Sequence, residues 1–110
     1  MKDQIQENMP SIPIACSLSE RERSERERAI AGDVMSGITE TRELPDGYAF
    51  RFPGDDPWPE RIQAFVLAER RCCPFFTFEL TFEPGQGPIW LRLRGPEGTK
   101  AFVEEMFLFG

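Results

Sequence analysis

Two runs of strict alternation constrain the fold of this chain most. Phe76, Phe78, Leu80 and Phe82 alternate with Thr77, Glu79, Thr81 and Glu83, and Ile89, Leu91 and Leu93 alternate with Trp90, Arg92 and Arg94. Successive side chains of a strand point to opposite faces, so each run predicts a half-buried strand with one polar face. Pro84-Gly85-Gln86-Gly87-Pro88 separates them as a loop, which makes the pair a hairpin. Glu79 or Glu83 would then face Arg92 or Arg94 across it. A second hairpin precedes it. Thr39 to Leu44 is β-branched and polar, like an edge strand. Leu44-Pro45-Asp46-Gly47-Tyr48 is a turn, because Pro fixes φ and Gly accepts a positive φ. Tyr48, Phe50 and Phe52 fall on one side of the next strand, with Ala49 and Arg51 on the other.

Helical patterns flank both hairpins. Ser17 and Ser19 stand three residues before Glu20 and Glu22, the spacing of a capping box, and predict a helix running to about Ser36 or Gly37. Its first half alternates Glu and Arg without an apolar face. Arg21 faces Glu25 and Glu22 faces Arg26, pairs worth a few tenths of a kcal/mol each on an exposed helix. Ile30, Val34, Met35 and Ile38 in its second half can dock on a core. The strongest helix runs from Arg61 to Cys72, entered through Pro59 and Glu60, with Ile62, Phe65, Val66 and Glu69 on one face. Pro74 ends it, since the residue before a proline is pushed out of the α region. Pro96-Glu97-Gly98 opens a last helix with Ala101, Phe102, Met106 and Phe107 available for burial. The expectation is an α+β fold of order αββαββα: a four-stranded antiparallel sheet from two hairpins, with helices packed on one face. Residues 1–13 read as a mobile arm and residues 14–110 as a single domain. Strand order does not follow from the sequence.

Composition narrows the function. There is no His, which removes most zinc enzymes, Ser-His triads and His general bases. The chain carries 19 Asp+Glu against 13 Lys+Arg, a net charge of −6, which argues against general nucleic-acid binding. No apolar run approaches the roughly 20 residues that span a bilayer, and no apolar stretch follows Met1 as a secretion signal would. The expected compartment is the cytoplasm. The ten Phe supply a core. Asp55-Asp56 reads as a solvated loop, Gly85-Gln86-Gly87 as a turn, and Trp58 and Trp90 as core or interface residues.

The three cysteines, Cys16, Cys72 and Cys73, are the distinctive feature. Neighbouring cysteines rarely bond to each other, because the two Cβ atoms cannot converge without strain. The pair therefore stays reduced or uses a third partner, for which Cys16 is the candidate within the chain. A reducing compartment makes a structural disulfide unexpected. Glu69 stands three and four residues before the two thiols, so a helix sets its carboxylate one turn behind both. Three thiolates and a carboxylate form a plausible ligand set for Zn(II), Cu(I), Hg(II) or arsenite. The negative end of the helix dipole disfavours thiolates at Cys72 and Cys73, while Arg70 and Arg71 favour them. Cysteines also pack as small hydrophobes, which would leave these three inert in the core.

Ala15-Cys16-Ser17-Leu18-Ser19, Glu69-Arg70-Arg71-Cys72-Cys73-Pro74-Phe75-Phe76-Thr77-Phe78 and Gly95-Pro96-Glu97-Gly98 together resemble a family of small bacterial proteins. Its members carry a Cys-Ser/Thr-Leu segment and a Glu-x-x-Cys-Cys-x-Phe segment ahead of a hairpin. Some resemble segments found with mercury- or other heavy-metal-responsive proteins. The resemblance runs from about Ile14 to the C-terminus. It implies that Cys16, Glu69, Cys72 and Cys73 belong together, and it supplies no reaction.

Three functions compete. The first is a site that binds a thiophilic metal or metalloid through Cys16, Cys72, Cys73 and Glu69, for sensing, buffering or handover. The second is a thiol oxidoreductase or detoxification enzyme with Cys72 or Cys73 as nucleophile and Cys16 as resolving thiol. The third is a non-catalytic homodimeric interaction module with structural cysteines.

Overall fold

A computed structural model describes residues 25–108, with side chains from residue 29 onward. Its elements follow the expected αββαββα order: α1 (Glu25–Met35), β1 (Glu40–Leu44), β2 (Gly47–Phe52), α2 (Trp58–Cys72), β3 (Thr77–Phe82), β4 (Ile89–Arg94) and α3 (Thr99–Val103). A wider, π-helical turn over Glu104–Leu108 continues α3. The expectations for the arm at residues 1–13, the capping serines, the Arg21–Glu25 and Glu22–Arg26 pairs and Cys16 fall outside what is described.

The four strands form one antiparallel sheet in the order β1-β2-β4-β3. Both hairpins pair as the alternation requires, and the sheet is completed by β2 against β4, with Phe50 opposite Leu91 and Tyr48 opposite Leu93. Phe50, Phe52, Ile89, Leu91 and Leu93 therefore share the inner face. Against them lie Val34 of α1, Ile62 and Phe65 of α2 and Val103 of α3, all buried. Truncating Phe50 or Phe65 to Ala would cost about 3–5 kcal/mol at such positions.

The outer face is polar but not empty of aromatics. Trp90 is on that face, with the Arg42 guanidinium 4.9 Å and the Arg92 guanidinium 6.0 Å from its ring centre. Arg94 answers the expected cross-strand pairing: it meets Glu79 at 3.5 Å and Asp46 of the β1–β2 turn at 3.0 Å. Arg92 instead donates to Thr81 Oγ1.

Three details differ from the sequence reading. Gly47 is required by proximity, not by a positive φ: a Cβ there would collide with the Leu93 carbonyl of β4. Positive φ occurs instead at Gly85 and Gln86 in the second loop and at Gly98 ahead of α3. In α3, Ala101 is exposed and Met106 largely so, while Thr99 and Val103 are buried and Phe102 and Phe107 half-buried. Phe102 and Phe107 pack against the core as expected; the π-helical turn begins at Glu104, so it bears on the position of Met106 but not on that of Ala101.

Candidate metal centre

The site is built by the last turn of α2. Ile62, Phe65, Glu69 and Cys72 are the buried residues of this helix, a stripe at spacings of three and four that places Glu69 on the core side. Pro74 then stops the helix. Cys73 leaves helical geometry at φ −124° and ψ 76°, and its backbone N–H donates to the Glu69 carbonyl at 2.6 Å. This cap turns the Cys73 side chain back toward the same helical turn. Its thiol donates to Glu69 Oε1, with sulfur and oxygen 3.6 Å apart.

Glu69, Cys72 and Cys73 are 1%, 2% and 0% exposed. One carboxylate oxygen and the two sulfurs lie within 4.8 Å of one another, and this is the one such ligand group among the described residues. Asp55 and Asp56 are exposed and join no group of this kind. Burying a carboxylate costs several kcal/mol unless donors or a cation compensate it. The Cys73 thiol is one such donor. Both cysteines belong to the same buried cluster as Val34, Phe65, Phe75 and Phe76. Rings of Phe75, Phe76, Phe78, Phe102, Phe107 and Phe65 pack edge-to-face or tilted around one another at 4.6–6.5 Å between centres. Arg70 and Arg71 at the end of α2 are exposed. Arg70 borders a shallow surface groove of about 500 Å³ with Val66, Leu67, Pro74, Phe76 and Phe78.

The redox expectation is corrected. Cys72 is disulfide-bonded, whereas Cys73 keeps its thiol. The two neighbours are not bonded to each other, in line with the strain such a bond would carry. The disulfide was unexpected because the sequence argument rested on compartment, which says nothing about which sulfurs meet. Of the four expected ligands, Glu69, Cys72 and Cys73 are brought together, and Cys16 lies outside the described residues.

The sequence reading also missed a polar contact beyond the site. The Tyr48 hydroxyl donates to Glu104 Oε2, joining β2 to the π-helical turn. That bond, followed by burial and by the charges of Glu104 and Glu43, pushes the Tyr48 phenol up to about 12. Tyr at the first inward position of β2 was the available signal, since a buried phenol needs a partner.

No protein-family model, curated protein or solved structure matches the chain. The reading of function rests on the residues themselves. Among the described residues, no helix is long and apolar enough to cross a membrane.

Proposed function

We propose that the reduced chain binds one thiophilic metal ion or metalloid through the thiolates of Cys72 and Cys73 and the carboxylate of Glu69, with Cys16 as the third sulfur. The observation that carries this reading is the buried convergence of two sulfurs and a carboxylate oxygen within 4.8 Å. Zn–S bonds of about 2.3 Å on a tetrahedral centre put sulfurs roughly 3.8 Å apart. The three ligand atoms would therefore close in by about 1 Å or less, a side-chain adjustment. A divalent cation would also neutralise anionic groups that are costly to bury. Sulfur-rich donors favour Zn(II), Cu(I), Hg(II) or trivalent arsenic over hard cations. The resemblance of the Cys16 and Glu69-to-Phe78 segments to small bacterial proteins, some like segments accompanying heavy-metal-responsive proteins, points the same way.

The test is metal binding by the reduced chain and by a Cys16→Ser, Cys72→Ser, Cys73→Ser variant whose folding is checked by circular dichroism. Zn(II), Cu(I), Hg(II) and arsenite are each offered in turn. The reading expects one equivalent bound by the parent and none by the variant. Equal binding by both would overturn it.

The disulfide at Cys72 favours a second reading, a thiol oxidoreductase in which Cys72 exchanges with Cys16. Its weakness is access, because exchange requires an attacking sulfur to reach Cys72, which is 2% exposed. Turnover of a small disulfide by catalytic amounts of the chain would favour this reading over metal binding.

A further inference from the structure

We infer that a second copy of this chain pairs antiparallel along the open edge of β3, joining two four-stranded sheets into one continuous sheet. The surface concerned is separate from the proposed metal ligands, and the inference does not depend on them.

The two edges of the sheet are unlike. An edge strand presents unpaired backbone N–H and C=O groups, and charged side chains are a common means of keeping other strands off it. The β1 edge has such charges. Arg42 pairs with Glu40 at 2.6 Å, and Glu43 pairs with Lys100. The β3 edge has no Lys or Pro within Thr77–Phe82, and its register with β4 runs without a bulge. Phe78, Leu80 and Phe82 lie on its inner face. The first two are half-buried and Phe82 is 51% exposed, so the apolar face of β3 is only partly covered. Leu67 of α2 is 62% exposed and shares the surface groove with Phe78, which extends this apolar border.

The hydrogen-bond alternation shows which groups are on offer. The Glu83 N–H donates to the Pro88 carbonyl, and bonded pairs recur at every second residue of an antiparallel ladder. Thr77, Glu79 and Thr81 therefore bond to β4, while the N–H and C=O of Phe78, Leu80 and Phe82 point outward. Among the described residues, no backbone group bonds to this edge.

Charge selects the register. Residues opposite each other in an antiparallel pair share a face, and like charges placed opposite are destabilising. A two-fold axis at Glu79 would oppose Glu79 to the partner's Glu79. An axis at Thr81 would oppose Glu79 to the partner's Glu83. An axis at Leu80 avoids both. It sets Leu80 against the partner's Leu80 and Phe78 against the partner's Phe82, an apolar row on the inner face. On the outer face it sets Thr81 against the partner's Glu79. Arg92 already donates to Thr81 Oγ1, so the arriving carboxylate meets a guanidinium. This two-fold contact uses the same edge on both copies and leaves only the charged β1 edges at the ends, so assembly stops at two.

The test is sedimentation equilibrium of the full chain from about 1 μM to about 1 mM. A phosphine is present throughout, so that no disulfide joins two chains. The expected mass rises with concentration to twice 12.6 kDa and no further. Phe82→Lys, with folding checked by circular dichroism, should weaken self-association by at least about 10-fold. Thr41→Lys on the β1 edge should leave it unchanged. Amide exchange in the parent gives a readout that needs no variant: the N–H groups of Phe78, Leu80 and Phe82 should gain protection as concentration rises. A monomer at every concentration would overturn the inference, as would assembly beyond two copies. A dimer indifferent to Phe82→Lys, or one whose formation leaves those three amides unprotected, would also overturn it.

Discussion

Glu69 carries the most information per atom in this chain. A carboxylate 1% exposed on a stripe otherwise made of Ile62, Phe65 and Cys72 does not persist through packing alone. Its position was legible because a helix puts residues three and four apart on one face. The turn that brings Cys73 back onto Glu69 was less so, since it depends on how the chain leaves the helix before Pro74. Glu69→Gln keeps the shape and removes the ligand charge. It should lower the Zn(II) affinity of the reduced chain by at least about 10-fold. An unchanged affinity, read by chelator competition, would remove Glu69 from the ligand set. Tyr48 gives a second test at this scale. Its phenol is raised in the folded chain from 10.0 to about 12, so the folded state holds its proton where the unfolded state loses it. Its stabilising contribution is full below pH 10 and is lost as the pH rises toward 12. Urea unfolding across that window should therefore decline more steeply for the parent than for Tyr48→Phe. Parallel declines would contradict the assignment.

The elements divide sharply in how far the sequence revealed them. Both hairpins were readable, because Tyr48-Phe50-Phe52, Phe76-Phe78-Leu80 and Ile89-Leu91-Leu93 alternate with polar partners and are bounded by Pro and Gly. The last helix was read in part: Phe102 and Phe107 pack on the core as expected, whereas Met106 follows the start of the π-helical turn, where the 3.6-residue period no longer holds. Two glycines distinguish close approach from flexibility. Gly47→Ala forces a methyl group into the Leu93 carbonyl where β2 meets β4, and should destabilise by about 1–3 kcal/mol or more. Gly32 lies exposed inside α1 with nothing within 4 Å of a Cβ, so Gly32→Ala should stabilise by about 0.5–1 kcal/mol. A urea midpoint for Gly47→Ala that is unchanged or raised would show that β2 does not approach β4 as described, and a lowered midpoint for Gly32→Ala would contradict its open, helical setting.

At the scale of the whole molecule, β2 and β4 form the centre of the sheet although 36 positions separate Phe52 from Ile89 in register. Local patterns fix each hairpin but carry no record of how the two hairpins join, which is why strand order was not legible. The thiol site has the same character. The sequence places Glu69, Cys72 and Cys73 together through one helix, whereas any participation of Cys16 is a long-range matter. The outer sheet face, with Trp90 beneath Arg42 and Arg92, and the inner face, closed by α1, α2 and α3, leave the end of α2 as the place where buried polar chemistry is concentrated. The most direct measurement of the central claim is thiol alkylation of the reduced, folded chain with and without one equivalent of Zn(II), resolved by peptide mass. Zn(II) is expected to slow alkylation of Cys16, Cys72 and Cys73 together. Alkylation rates at all three that are indifferent to Zn(II), Hg(II) and arsenite alike would contradict it.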